Sequence, residues 1–511
     1  MIKVKLDGYY SKSETNSFSV SARMDRFASS ICLKVKRIIR PPLRLLVQKF
    51  HTDTLTIDDV PSPKKLPLIG KWVNLPLVLA GSMPKLHWYI DKRHKQLGPI
   101  FKDQIGPVNC VFVSDPEGIR SVFAQEGKYP IHILPEAWLT YNRIYNIKRG
   151  IFFMNGDEWL HFRKILNNLL LKGDTHWMEE CCQVVTHNLI GKIRENSGDK
   201  FYYLKLEGDL YRSSLETILA VLLGPKRYLE MRELIEDSVK ELTSTIHLVF
   251  ETSSKLALVP SEFAAKWRIS RWKKFESAIS KVLASASKLV VILYELLGPD
   301  DDGLLVKMRS NMAVEDVTKI VTDLILAAGD TTVYSIEWML YLLGRNRTVQ
   351  ERLRGELANE KGTHITSNVL LKNTIKECLR LYPVAPFLTR VLPTKSNVMG
   401  YDLPPNTVLI ISVFSTGREE NYFPNANEFH PDRWNNRNGR GTIVQNANLP
   451  FALGVRSCMG KRLAITQLQL TLAEIVKNFD FTIKNSKEIA VDLKMVLVPS
   501  EAIQLQFRSL D

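Results

Sequence analysis

Near the C-terminus, residues 451 to 464 read Phe-Ala-Leu-Gly-Val-Arg-Ser-Cys-Met-Gly-Lys-Arg-Leu-Ala, so Cys458 sits between Gly454 and Gly460 with basic residues on both sides. An amphipathic helical pattern starts immediately after it. Arg456, Lys461 and Arg462, with the N–H groups that open that helix, favour a thiolate, the form of cysteine that attacks electrophiles and binds metals. Gly454 and Gly460 let the backbone approach something large and flat. The plainer alternative is a buried cysteine in a capping turn, the commoner fate of a lone thiol.

The run resembles the haem-binding signature of the cytochrome P-450 superfamily, F-x-x-G-x-R-x-C-x-G, matched at Phe451, Gly454, Arg456, Cys458 and Gly460. The resemblance implies that the stretch cradles haem b (iron protoporphyrin IX) with Cys458 as its axial thiolate. One position departs from the pattern. Ala452 stands where glycine is usual, which bears on packing over the thiolate and not on ligation.

Three further patterns lie upstream in the order this family has them. Trp159 and Arg163 are four apart and share one face of a helical stretch preceded by Asn155-Gly156-Asp157, a reasonable N-cap. On its own that pair is a packed ring beneath a solvated charge. The resemblance gives both a haem propionate to reach, since two carboxylates entering an apolar interior need a cation and hydrogen-bond donors.

Glu315 to Leu343 reads as a long helix, apolar on most faces, with small residues at its middle: Ala327, Ala328, Gly329, then Asp330 and Thr331. A mid-helix glycine costs about 1 kcal/mol relative to alanine and asks for a reason. An acid beside an alcohol can hold water and relay protons, or can simply satisfy backbone groups. The segment resembles the family's oxygen-activation motif, with Ala328 where glycine is usual. That implies Asp330 and Thr331 as catalytic residues and Ala327 and Ala328 beside the substrate.

Glu377 and Arg380 are three apart on a third helical pattern, on any helix an ion pair worth under about 1 kcal/mol. With Arg433 downstream they resemble the family's buried Glu-Arg-Arg network, which fixes the loop before the cysteine. By the same resemblance Arg390 is a second propionate partner, and Val384, Phe387 and Leu388 line the substrate side.

The chain carries 69 Lys/Arg against 54 Asp/Glu, net +15. The first 50 residues hold eleven Lys/Arg against Asp7, Glu14 and Asp25, with seven serines and an amphipathic stretch from Ile31 to Phe50. Basic, serine-rich and acid-poor is the make-up of a mitochondrial presequence, with a surface helix on anionic lipid as the alternative. The rest of the charge is diffuse and no nucleic-acid motif appears, which argues against a nucleic-acid partner. No run of about twenty apolar residues occurs, so no ordinary transmembrane helix is expected. Six cysteines without a C-x-x-C pair argue against a disulfide framework or a zinc site.

Pro99 to Ser114 reads as a β-hairpin turning around Gly106-Pro107 and Leu204 to Leu296 as several long helices, so the expected architecture is mainly α with a small β region, the haem-thiolate cytochrome P-450 fold. Residues 1–50 are expected to form the presequence and basic segment, 51–70 a proline-rich hinge, and 71–511 the catalytic domain. The implied reaction inserts one oxygen atom of O2 into a C–H bond. A haem-thiolate rearrangement enzyme or a haem sensor is the alternative of another class. Lys372 and Lys376, four apart on the Glu377 helix, with Lys461 and Arg462, are the expected docking face for a mitochondrial ferredoxin, itself served by ferredoxin reductase.

Stretches such as His94 to Phe101, Leu134 to Trp138, Arg149 to Met154, Leu169 to Gly173 and Leu379 to Phe387 are similar to the insect ecdysteroid 2-hydroxylase branch of mitochondrial P-450s. That implies a steroid-like substrate and a peripheral seat on the matrix side of the inner mitochondrial membrane. Another mitochondrial hydroxylase, acting on a different steroid position or on xenobiotics, is the alternative.

Overall fold

The computed structural model describes residues 55–510 apart from 65–82, 106–107, 174–175, 197–205, 258, 299, 359–361, 436–443 and 445. The expected presequence, the turn at Gly106-Pro107 and much of the expected hinge lie outside the described residues.

Part of that hinge belongs to the body. Leu55–Thr56 (β1) pairs in parallel with Tyr401–Leu403 (β6), which pairs antiparallel with Ser396–Val398 (β5). Val60 is buried, and Lys102 N–H donates to Pro61 O at 2.8 Å.

The main sheet has four strands in the order Ile100–Ile105 (β2), Val108–Val113 (β3), Val408–Ser412 (β7), Phe387–Val391 (β4). The hairpin expected between Pro99 and Ser114 is present, with Ile100 opposite Val113 and Ile105 opposite Val108. Successive side chains on a strand point to opposite faces. Cys110 and Phe112 accordingly pack into one core cluster, Val111 and Val113 into another, so β3 divides two cores. Among the described residues two further antiparallel pairs follow: Phe479–Ile483 (β8) with Leu505–Ser509 (β11), enclosing in sequence the hairpin of Val491–Lys494 (β9) with Val496–Pro499 (β10).

Seven helices position the site: Gly156–Leu170 (α1), Leu206–Leu223 (α2), Glu236–Ser254 (α3), Ser270–Glu295 (α4), Val314–Arg345 (α5), Val369–Leu381 (α6) and Lys461–Asn478 (α7). At 1.5 Å per residue, the 32 residues of α5 run about 48 Å. Glu315 and Asp316 in its first turn and Arg345 in its last complement the helix dipole. Gly329 has a packing reason. A Cβ there would lie 2.9 Å from Ile246 of α3 and 3.6 Å from the Tyr211 ring of α2, so the glycine lets both helices close on α5.

By length and composition α4 could cross a membrane, which the sequence reading did not expect. Its apolar residues are spent on the core instead. Trp272, Phe275, Ile279, Val282, Ala286, Leu289 and Leu293 recur at helical spacing and are buried.

Candidate active site

Cys458 is held by its own turn. Its N–H donates to Phe451 O at 2.9 Å and Ser457 N–H to Gly454 O at 3.1 Å, just before α7 begins. Gly454 lies at φ +80°, and a Cβ there would collide with the Glu126 carboxylate, so glycine is required twice over. Ala452 also lies in the left-handed region, at φ +59°. The alanine noted in the sequence thus occupies a conformation that suits glycine. A Cβ on Gly460 would meet no protein atom.

The Cys458 residue is accessible by area yet closely surrounded by protein, as on the wall of a deep recess. Burial pushes its thiol up, and the Gly460 N–H, Arg163 and Lys461 pull it only part of the way back. The expected low-pKa thiol is therefore corrected. Arg456 turns away to Met154 O at 2.8 Å and Asn155 Oδ1 at 2.9 Å, and Arg462 donates to Gly173 O at 3.1 Å. Asn155, expected as the N-cap of α1, makes no side-chain capping bond. A thiolate at Cys458 needs a further positive charge close by, which a metal centre supplies.

Four basic side chains gather beside this turn. Trp159 is buried under Arg456, whose guanidinium lies 4.2 Å from the ring centre. Arg163 donates to Ser457 O at 2.8 Å. Arg390 on β4 donates to Glu126 Oε2 at 2.6 Å. His132 runs beside it, because Val391 N–H donates to Ile131 O and Ile133 N–H to Thr389 Oγ1, both at 2.9 Å. Burial, then repulsion from Arg390 and Arg163, lowers Arg456 to about 10. Burial with Arg456 and Arg390 lowers His132 to about 4, so its ring is neutral at pH 7.

Glu126 is the acid that Arg390 and Arg456 share, leaving the cluster positive. Among the described residues Arg163 Nε and Arg456 Nε are buried without hydrogen-bond partners. Uncompensated buried cations cost several kcal/mol each. Orphaned donors in a positive recess beside a cysteine fit a flat iron-bearing group with two carboxylates. Trp159, Arg163, Arg390, Arg456 and His132 would hold those carboxylates, and Cys458 the iron. Sequence reasoning missed His132 and Glu126, whose partners come from more than 250 positions away through the β4 pairing.

On α5, Ala327 and Thr331 are exposed one turn apart on a helix otherwise largely buried, so this face borders an accessible space. Thr331 Oγ1 donates to Ala327 O at 2.8 Å. Asp330, about 100° further round, is buried and accepts from Tyr211 Oη at 2.8 Å. Burial raises its carboxyl to about 7 against the Tyr211 bond. Ala328 O accepts from Ser214 Oγ at 2.7 Å.

The expected Glu-Arg-Arg network is assembled and enclosed. Glu377 accepts from Arg380 Nε at 2.9 Å, from Arg433 Nε and His430 N–H at 2.8 and 2.9 Å, and from Trp434 Nε1 at 2.9 Å. Burial alone would raise the Glu377 carboxyl, but Arg380, the His430 N–H and Arg433 outweigh it and hold it below the usual range. Val384 packs with Val496 and Val498 of β10, and its carbonyl accepts from Leu497 N–H at 2.9 Å. Phe387 and Leu388, successive on β4, pack against different clusters. Lys372 and Lys376 are exposed on α6, whose inner face is buried, and Lys461 is exposed at the start of α7.

The Cytochrome P450 family profile matches residues 60–507. The chain is 35% identical over 500 residues to "Cytochrome P450 315a1, mitochondrial" of Drosophila melanogaster, covering 94% of each protein. It is 25% identical over 485 residues to the mitochondrial cholesterol side-chain cleavage enzyme of Rattus norvegicus, covering 89% of each. The solved structure of a retinoic acid bound cyanobacterial CYP120A1 shares the fold, with a TM-score of 0.72 at 18% identity over 90% of this chain and 100% of that one. A profile spanning nearly the whole described body, and a relative 35% identical almost end to end, leave one assignment: the chain belongs to the cytochrome P450 family, mitochondrial type, and is a haem-thiolate monooxygenase.

Proposed function

We propose that this protein hydroxylates a steroid, and that its reaction is ecdysteroid C2-hydroxylation (2-deoxyecdysone to ecdysone) in moulting-hormone biosynthesis. The observation that carries the steroid reading is similarity over 89% of the chain to an enzyme named for cholesterol side-chain cleavage. The finer reading rests on the stretches similar to insect ecdysteroid 2-hydroxylases, from His94 to Phe101 and from Leu379 to Phe387 among others. A mitochondrial hydroxylase acting elsewhere on a steroid or on xenobiotics is the second reading.

Bound haem supplies the one-electron and O2 chemistry, with one oxygen atom entering the substrate and the other leaving as water. In this reading Cys458 holds the iron, and Trp159, Arg163, Arg390, Arg456 and His132 fix the propionates. Phe451, Gly454 and Gly460 shape the turn that would present Cys458 to the haem. Asp330 and Thr331 move protons into the recess. Ala327, Ala328, Val384, Phe387 and Leu388 bound an apolar substrate. Glu377, Arg380 and Arg433 keep the loop before Cys458 rigid. Lys372, Lys376, Lys461 and Arg462 receive a mitochondrial ferredoxin. Residues 1–50 direct the chain to the matrix, and the body, which already includes Leu55 to Pro61, sits on the inner-membrane surface.

Incubation of the purified protein with ferredoxin, ferredoxin reductase, NADPH and 2-deoxyecdysone tests this. Ecdysone as the product supports the C2 reading. Another hydroxylated steroid supports the second reading, and no turnover of any ecdysteroid sinks the first.

A further inference from the structure

Asp330 is buried beside the accessible Ala327 and Thr331 face, and its carboxylate is the inner end of a line of hydroxyls. Its carboxylate accepts from Tyr211 Oη on α2 at 2.8 Å. Tyr211 Oη lies 3.3 Å from Tyr334 Oη, one turn along α5 from Asp330. Tyr334 Oη lies 3.2 Å from Glu207 Oε1 at the exposed start of α2. Four groups thus form an unbroken line from a buried acid to an acid in solvent, and the outer two links are longer than the inner one. Tyr211 is buried and Tyr334 half-buried.

We propose that Glu207, Tyr334 and Tyr211 form a proton relay that recharges Asp330 from solvent. This rests on the reading of Asp330 as a proton donor. The step balances without any oxidant or metal. A protonated Glu207 gives its proton to Tyr334, Tyr334 gives its own to Tyr211, and Tyr211 gives its own to the Asp330 carboxylate. Both phenols end neutral, and one negative charge has moved from the interior to the surface, where Glu207 is reprotonated by water.

The surroundings favour a concerted shift. Burial and the neighbouring acids raise both phenols far above their ordinary range, so a tyrosinate is not a stopping point. Burial first, then the Glu207 charge, raise the Asp330 carboxyl to a value where it can both hold and give up a proton near neutrality. The other titratable groups facing the line are Lys494 of β9, Glu337 of α5, whose carboxyl burial raises, and His247 of α3, whose ring lies 6.0 Å from that of Tyr211. Among them Lys494 opposes the rise at Asp330. The aromatic pairing of Tyr211 with Tyr334, centroids 6.2 Å apart and edge to face, keeps the two hydroxyls in register.

The test reads the Asp330 carboxyl directly in the haem-loaded full-length protein. The infrared C=O band of protonated Asp330, identified by its absence in Asp330→Asn, shifts on transfer into D2O, and the rate of that shift is the relay rate. Tyr211→Phe, Tyr334→Phe and Glu207→Gln each remove one link. Each is expected to slow the exchange by about tenfold or more, with the thiolate Soret band and thermal midpoint close to wild type for the exposed Glu207→Gln. Exchange at the wild-type rate in Glu207→Gln or in Tyr334→Phe overturns the relay. Because the band reports proton movement and not turnover, failure here is distinct from failure of the catalytic reading. That reading falls separately if Asp330→Asn leaves oxygen use fully coupled to product.

Discussion

The Arg456 guanidinium stacks 4.2 Å above the Trp159 ring while its Nη2 bonds Met154 O and Asn155 Oδ1. One side chain from the cysteine turn therefore grips the start of α1 by a ring and two oxygens. Arg163, one turn further along α1, grips Ser457 O in return. The turn before Cys458 is fastened to α1 from both sides, which is why the two motifs, nearly 300 residues apart, act as one wall.

A desolvated cation–π contact is worth about 2 kcal/mol. The Arg456→Lys and Trp159→Leu variants should therefore show a coupling energy of about 1–2 kcal/mol in a double-mutant cycle of urea unfolding. Additive effects would mean that Arg456 is held by its two oxygen partners alone.

Ala452 spends its backbone in the left-handed region, which costs an L-residue roughly 1–2 kcal/mol relative to glycine. Glycine returns part of that as unfolded-chain entropy, about 0.5–1 kcal/mol. Ala452→Gly should therefore raise stability by about 0.5–1 kcal/mol, seen as a higher urea midpoint at unchanged slope. A lower midpoint would show that the alanine methyl packs well enough to offset the strain.

Glu377→Gln keeps the shape of the network and removes the charge that Arg380 and Arg433 face. Breaking a buried pair of this kind costs about 3–5 kcal/mol. The sign with pH follows from the depressed Glu377 carboxyl. Its contribution is complete above the ordinary carboxylate range, near 4.3 in the unfolded chain, and is lost as pH falls through the lower folded value. The gap between wild type and variant should be widest at pH 7 and close in acid. A gap that stays constant below pH 4 would remove the charge from the explanation.

The motif positions were legible because each is local. Cys458 with its glycines, Glu377 with Arg380, and Asp330 with Thr331 each fall within one turn or one helical step, where sequence spacing is spatial spacing. The long helices and the Ile100–Val113 hairpin were legible for the same reason of period. Contacts made by folding were not. His132 reaches Arg390 through an isolated strand bridge, Glu126 reaches Gly454 across 328 positions, and Tyr211 reaches Asp330 across 119. The Cys458 thiol was misjudged because three neighbouring cations in sequence turned out to be one neighbour in space, plus Arg163 from α1. The sequence also put Leu55 to Val60 in the hinge, since a two-residue strand paired with Tyr401–Asp402 has no period to detect.

Lys372 and Lys376 stand exposed on α6, and Lys461 at the start of α7. Rim charges act mainly on encounter rate and its salt dependence, within a screening length of about 8 Å at physiological ionic strength. Lys372→Gln with Lys376→Gln should slow electron transfer from ferredoxin at low salt and flatten the salt response, with the haem spectrum unchanged. Wild-type rates at low salt would place the docking face elsewhere.

Asp330 offers the opposite pH sign from Glu377. Its carboxyl moves from an ordinary 3.8 to about 7 on folding, chiefly by burial. Below pH 3.8 both states hold the proton and the group contributes nothing. Between 3.8 and 7 the unfolded chain has released its proton while the folded chain keeps it, so stability falls as pH rises and then levels off above 7. At 1.36 kcal/mol per pH unit the full penalty is roughly 4 kcal/mol, an upper figure because Tyr211 can reorient. Asparagine cannot ionise and still accepts the Tyr211 hydroxyl, so Asp330→Asn should abolish this slope and be more stable than wild type at pH 8, while oxygen use uncouples from hydroxylation. Urea unfolding of both proteins at pH 5 and pH 8 decides it. If the variant gains nothing on going from pH 5 to pH 8, the wild-type acid is ionised throughout, and the stability given up at this position is not what keeps a proton beside Thr331.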